Sequence, residues 1–460
     1  MNKLFSLKIE KVALGGYGIG FAEGKAVFVP ATAIGDEVVV ELLRERKDMA
    51  FARAVTYSQR GEGAISPECE AFGGETPCGG CDWLNLDYPT QLKYKTLLVK
   101  ELLQPLSPGT VIADIIPSPE QERYRNKSFM PVGEDETGLY CGIYARWSHR
   151  IVHHQHCTLH QQVFDLIARR SLEIMGKAGV TAYNETNHTG TLRHLGFRIS
   201  ADRERILIVI VTRSGKLPFS GLLVKQLTEE FPQICSIVQN INREVGNVIL
   251  GAEEKVLFGE PWLTDELGGH SFRIHYRSFW QVNTGTVAGI IDHLRVHLSP
   301  EDVLYDAYAG IGSLGLSLAS SVSQVLCIEE SSEAAADGEM NMNHNSISNA
   351  GFLCAKTEDA LPTLLDPKVL NSSDKPTALI LDPPRSGVQI EALQAILHTR
   401  IPRVFYLSCS PMTLCRDLKI LLADGLYELK SVQPFDMFPQ TWHIETLAVL
   451  QLKQDTPQEP

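Results

Sequence analysis

From about residue 270 onward the chain alternates short apolar runs with helical stretches, and this alternation limits the fold more than any other feature. "VLYDAYAG" leads through a glycine turn into "LGLSLASS", and "QVLCIEE" leads into a helix around Ala334 to Asn345. "TALILDPP" is followed by a helix, "RVFYLSCS" by another, and "ETLAVLQLK" reads as a last strand. Strands separated by helices in this rhythm predict an α/β fold, a doubly wound parallel sheet with crossover helices. Open sheets of this kind bind ligands beyond the carboxyl ends of their strands, so the residues at those ends are the candidates for function.

"GIGSLG" (Gly310 to Gly315) follows a strand and fits G-x-G-x-x-G, and Glu329 closes the next strand nineteen residues after Gly310. Glycines let the backbone approach a ligand closely, and a carboxylate at that place takes two ribose hydroxyls. The pattern reports adenosine plus ribose, a unit shared by NAD, FAD and S-adenosylmethionine; a tight turn without ligand is the bland alternative. "LILDPPRSG" puts Asp382 at another strand end, followed by two prolines that stiffen the turn. Dehydrogenases have no reason to carry that element, whereas methyltransferases acting on bases often do. A helix-capping role is the plainer reading of Asp382.

"YLSCSPMTLCRDL" holds two cysteines of unequal character. Cys409 lies just past a buried strand and before a helix, where a nucleophilic thiol would be exposed to a cleft and its thiolate favoured by the helix N-terminus. Cys415 falls within the helix between Leu414 and Leu418 and reads as core filler. Near the end of the chain "DMFPQTWHIET" supplies His443 and Glu445, either able to move a proton. A thiol, an acid and a methyl-donor pocket suggest one chemistry. Carbon 5 of a pyrimidine is too weak a nucleophile until a thiolate adds at carbon 6. It then takes the methyl group, a base removes its proton, and the thiol leaves.

Upstream, residues 1–60 read as a small β domain of OB type, with strands in "LKIEKV", "KAVFVP" and "DEVVVEL". Residues 61–265 read as a central α+β region, and 266–460 as the α/β domain; the tail "QDTPQEP" reads as disordered. "MNKLFSLKIEK" has its apolar run broken by Lys8 and predicts no signal peptide, and "ILIVIV" is too short to span a bilayer. These features predict a soluble cytoplasmic protein. Ten cysteines in such a chain point to metal or catalysis rather than disulfides. The formal net charge of −13 disfavours sequence-blind binding to phosphates, so a nucleic-acid partner must be held by local groups and shape. "ERYRNKSFM" and "ARWSHR" offer such groups.

"CEAFGGETPCGGCDW" places Cys69, Cys78 and Cys81 in a C-x8-C-x2-C run. Zinc and a [4Fe–4S] cluster both take four cysteines, and the spacing does not choose between them.

"SFWQVN" (Ser278 to Asn283), "DAYAGIGSLGL", "VLCIEE", "LDPPRSG", "LSCSP" with "TLCRDL", and "DMFPQTWHIET" occur in an order and spacing that resembles the RNA 5-methyluridine (uracil-C5) methyltransferase family over nearly the whole chain. The resemblance implies a C-terminal Rossmann-like class I methyltransferase domain and an N-terminal TRAM domain that binds RNA. It implies S-adenosylmethionine contacts at Gln281, Tyr308, Gly310, Glu329 and Asp382, with Cys409 as nucleophile and Glu445 as base. Ala309 stands where relatives carry cysteine, and Ser313 where many carry an asparagine that touches the donor. The branch that acts on 23S rRNA carries a [4Fe–4S] cluster, and the resemblance assigns it to Cys69, Cys78, Cys81 and Cys157. Cys141 competes for the fourth place, and His154, His156 and His160 could ligate zinc instead. The expected partner is structured RNA with a flipped uridine, bound by a monomer. A tRNA substrate, a non-catalytic rRNA-binding factor and a nicotinamide oxidoreductase are the rival readings.

Overall fold

The computed structural model describes residues 3–73, 76–365 and 375–453; the tail expected to be disordered lies outside them. The described residues form sheets of six, seven and eight strands and one two-stranded ribbon.

The eight-stranded sheet carries the chain's C-terminal half. Across it the strands run Ala350–Cys354, Gln324–Glu329, Val303–Ala307, Ala378–Leu381, Arg403–Ser408, Glu445–Leu452, Tyr427–Phe435 and Val111–Ile112. The first five are mutually parallel, as the strand–helix rhythm predicts. Glu445–Leu452 departs from that expectation and pairs antiparallel with both of its neighbours. The reason is the short link after Phe435, which leaves no room for the crossover that a parallel partner requires.

Strand order reverses around Val303–Ala307, whose two neighbours are Gln324–Glu329 and Ala378–Leu381. The turns leaving Ala307 and Leu381 therefore open side by side at the switch point, where such sheets place ligands.

The central strands Val303–Ala307, Ala378–Leu381 and Arg403–Ser408 are mostly apolar because both faces of the sheet are covered there. Along Ala378–Leu381 the side chains divide with period two. Leu379 and Leu381 join a core with Leu98, Val99, Leu414 and Leu418. Ala378 and Ile380 join another with Ile290, Ile291 and Leu316. The helix Tyr88–Leu103 thus packs on this sheet from far upstream. Asp87 caps it by accepting from the Thr90 amide at 2.9 Å.

The seven-stranded sheet spans residues 127 to 259, and its strands Leu192–Ile199 and Ile206–Thr212 are buried along their whole length. The helices Gln162–Lys177 and Ser220–Glu230 pack on it through Phe164, Ile167, Leu223 and Leu227. The six-stranded sheet, Leu4 to Gln59, encloses its own small core of Leu7, Ile9, Val27, Val29, Val38 and Val40. "LKIEKV" splits there into Leu4–Lys8 and Lys11–Ala13 at opposite edges of the sheet. Among the described residues no helix is long and apolar enough to cross a membrane.

Candidate active site

The glycine turn after Ala307 is built from left-handed backbone. Tyr308, Gly310 and Gly312 have φ of 63°, 58° and 80°. Gly312 also has no room for a side chain, since a Cβ there would stand 2.7 Å from the Phe352 ring. Glu329 fastens the turn to the next strand. Its Oε2 accepts from the Gly310 amide and its Oε1 from the Ser331 amide, each at 2.8 Å. Beneath the turn lies Asp306, whose Oδ2 accepts from the Gly315 amide at 2.8 Å and whose Oδ1 is buried without a partner. Burial, with Asp382 and Glu329 nearby, pushes its pKa up to about 7.

The "DPPRSG" turn is equally fixed. The Gly387 amide donates to the Pro384 carbonyl at 2.8 Å, and Gly387 has φ of 80°. A Cβ there would meet Asp417 Oδ2 at 2.6 Å. The buried Asp417 takes the Val388 amide at 3.0 Å and the Tyr406 hydroxyl at 2.6 Å, tying the turn to the strand before Cys409. Asp382 is only partly exposed, and burial lifts its pKa to about 7 even with a hydrogen bond from the Gln281 side chain.

Cys409 follows Arg403–Ser408 and precedes the helix Pro411–Leu422, capped by Ser410. Glu445 opens the neighbouring strand, is 2% exposed, and has Oε1 buried without a partner. Burial and the adjacent Asp382 hold its carboxyl well above the usual range, against the pull of Arg385. The Cys409 thiol is pushed up to about 11 by burial, Glu445 and Asp382, with Arg385 again opposing. This direction runs against the expectation that the helix start would favour the thiolate: burial, with Glu445 and Asp382 nearby, raises the thiol in the free protein.

Gln281, Tyr308, Gly310, Glu329, Asp382, Cys409 and Glu445 all line one cavity of about 850 Å³. Arg385 lines it too, as the cation that opposes the raised pKa values of both Cys409 and Glu445. Arg385 stands in "LDPPRSG" three residues after Asp382, and that spacing is the one signal in the sequence that marks it. Ser313 lies instead beside Gln281 in a small adjoining space. His443 does not line the cavity. Burial and the cations Arg385, Lys95 and Arg125 drive its pKa down to about 3, so it is neutral. Cys415 is buried in the core, its thiol directed at the Leu102 carbonyl at 3.6 Å.

The four cysteines singled out as ligands also converge. Cys69, Cys78, Cys81 and Cys157 line one small space together with His154 and His156. Burial alone would raise the Cys157 thiol, but hydrogen bonds from His154 and His160 hold it well below the ordinary value. His160 in turn meets Asp165 at 2.8 Å. Ligand atoms of His154, Cys157 and His160 lie within 4.8 Å of one another, so a histidine-bearing set exists at the same place. Cys141 lines a different cavity, of about 790 Å³, with Arg169 and Asp165.

A family model for tRNA (uracil-5-)-methyltransferases matches residues 87–453. An uncharacterized RNA methyltransferase of Halalkalibacterium halodurans is 35% identical over 456 residues, covering 98% of each chain. Another from Oceanobacillus iheyensis is 34% identical over 457 residues, covering 98% of this chain and 97% of its own. The crystal structure of Pyrococcus abyssi tRNA (uracil-54, C5)-methyltransferase in complex with S-adenosyl-L-homocysteine is similar with a TM-score of 0.77 at 23% identity, over 97% of this chain and 100% of that one.

Proposed function

The chain belongs to the tRNA (uracil-5-)-methyltransferase family, and on that premise we propose that it transfers a methyl group from S-adenosylmethionine to carbon 5 of a uridine in structured RNA. The observation that carries the reading is the single cavity shared by the Cys409 thiol, the Glu445 and Asp382 carboxyl groups and the glycine turn.

Gln281, Tyr308, Gly310, Glu329 and Asp382 would hold the donor. Glu329 keeps lone pairs free for ribose hydroxyls while the Gly310 and Ser331 amides fix its orientation. The donor supplies a cationic sulfonium methyl group, which suits a cavity rich in carboxyl groups. Positive charge there favours the ionised forms of Cys409, Asp382 and Glu445, opposing the burial that protonates them.

With the target base flipped into the cavity, the Cys409 thiolate adds to carbon 6 and carbon 5 becomes nucleophilic. Carbon 5 takes the methyl group as the methyl's bond to the sulfonium sulfur breaks, leaving S-adenosylhomocysteine. The Glu445 carboxylate then removes the carbon-5 proton, the carbon 5–carbon 6 double bond re-forms, and the Cys409 sulfur leaves with its electron pair.

Cys69, Cys78, Cys81 and Cys157 would bind a [4Fe–4S] cluster, which supplies four iron–sulfur bonds tying the loop at 69–81 to the segment at 157. Their convergence on one space supports this assignment. The six-stranded N-terminal sheet is read as the RNA-binding TRAM domain, and the protein as a cytoplasmic monomer.

The proposed substrate is 23S rRNA, on the strength of the cysteine set. The second reading, tRNA, is favoured by the tRNA substrate of the family and of the Pyrococcus abyssi protein. Mass-spectrometric mapping of 5-methyluridine in rRNA and tRNA from a deletion strain decides between them. A missing site in 23S rRNA supports the first, a missing tRNA site the second, and an unchanged pattern in both overturns the activity.

A further inference from the structure

The segment from Asp436 to Trp442 leads directly into Glu445, and it is held from outside its own sheet. The amides of Asp82 and Trp83 both donate to the Gln440 carbonyl at 3.0 Å. The buried Gln91 side chain accepts from the Gln440 amide at 2.9 Å, and the Tyr124 hydroxyl donates to the Pro439 carbonyl at 3.1 Å. One side chain in this group faces two ways. Asp82 Oδ2 accepts from the Trp442 amide at 3.3 Å, three positions before Glu445. Its Oδ1 forms an ion pair with Arg146.

Asp82 also has fixed surroundings. It follows Cys81, and the same loop pairs with the end of a strand, the Gly79 amide donating to the Tyr144 carbonyl at 2.9 Å. Gly16 of the N-terminal sheet packs so closely that a Cβ there would stand 2.6 Å from the Asp82 Cβ. Arg146 donates to the Gly15 carbonyl at 3.3 Å and lies 5.9 Å from the rings of both Tyr17 and Trp147. These two rings stack with an interplanar angle of 14°. A single carboxylate thus joins the N-terminal sheet, the cysteine loop and the strand that opens with Glu445.

We propose that Asp82 is a positioning residue for the last step of the reaction: by holding the Trp442 amide it sets the Glu445 carboxylate where it can take the carbon-5 proton. This rests on the methyltransferase reading above. It assigns Asp82 no part in thiol addition or methyl transfer, which involve Cys409 and the donor turn. Loss of Asp82 leaves those steps running and slows elimination, so enzyme and RNA stay joined through the sulfur–carbon 6 bond after the methyl group has moved.

The test compares the native protein with Asp82→Ala, using an ordinary uridine RNA and the same RNA made with 5-fluorouridine. Covalent complex is read on denaturing gels and 5-methyluridine by mass spectrometry. The native protein gives product and no lasting complex with uridine RNA, and a trapped complex with 5-fluorouridine RNA. Asp82→Ala is expected to trap 5-fluorouridine RNA as the native protein does. It should also accumulate complex with uridine RNA and release product about tenfold more slowly. Asp82→Asn keeps an acceptor for the Trp442 amide but loses the charge that holds Arg146, and is expected to show the same split at about threefold; it serves alone if the alanine variant does not fold. Parallel loss of trapping and product, or native behaviour in every variant that folds, overturns the proposal. A native protein that neither traps nor methylates instead overturns the methyltransferase reading.

Discussion

Lys95 and Asp436, 341 positions apart in the chain, form an ion pair of 2.6 Å in which neither side chain has any exposure to solvent. The Lys95 ammonium also donates to the Phe438 carbonyl at 3.0 Å. The pair therefore fastens the helix Tyr88–Leu103 to the stretch that precedes Glu445.

Removing one partner leaves a buried charge uncompensated. Lys95→Met is expected to lower the unfolding free energy by about 3–5 kcal/mol. Lys95→Met combined with Asp436→Leu should recover most of that loss, because the burial cost of both charges disappears together. Denaturant titration of both variants checks this. An additive double variant would mean that the two side chains act independently.

Donor binding should depend on pH in a charge-specific way. Burial lifts the Asp382 carboxyl to about 7, so the free protein carries its proton below that pH. A sulfonium gains by facing the carboxylate, so S-adenosylmethionine binds with loss of a proton and tightens as pH rises toward that value, by at most about tenfold per pH unit for one proton, and levels off above it. Neutral S-adenosylhomocysteine has no such gain, and its affinity should be nearly flat. Calorimetry of both ligands across this range reads the difference. Parallel pH profiles would exclude a titrating carboxyl at the donor site.

Protein purified without oxygen should contain iron and sulfide and absorb broadly in the visible. Cys157→Ala should lose most of both, while Cys141→Ala keeps them, because Cys141 lines a separate cavity. A colourless native protein holding stoichiometric zinc would shift the ligand set toward His154, Cys157 and His160.

Much of the site was legible because open α/β sheets put function at strand ends, and Gly310, Glu329, Asp382 and Cys409 are all strand-end residues. Glu445 was legible as the acid that opens the last strand. What periodicity does not reveal is partnership across long stretches of chain. Nothing local to "VI" at Val111–Ile112 says that it pairs parallel with Tyr427–Phe435 at the sheet edge. The same holds for Asp82, whose neighbour Cys81 drew attention while its own contacts lie at Arg146 and Trp442. The antiparallel last strand was missed because strand–helix rhythm reports crossovers, and this link has none. The raised Cys409 thiol is not legible in the sequence because it follows from burial in the folded chain, with Glu445 and Asp382 nearby.

The central claim is that Cys409 attacks carbon 6 of a uracil. It is tested most directly by incubating the protein with S-adenosylmethionine and 5-fluorouridine RNA, because fluorine at carbon 5 leaves no proton for removal and so blocks release. The native protein is expected to form a complex stable to denaturation, and Cys409→Ala to form none while still binding S-adenosylmethionine. Formation of the same complex by Cys409→Ala would contradict the account.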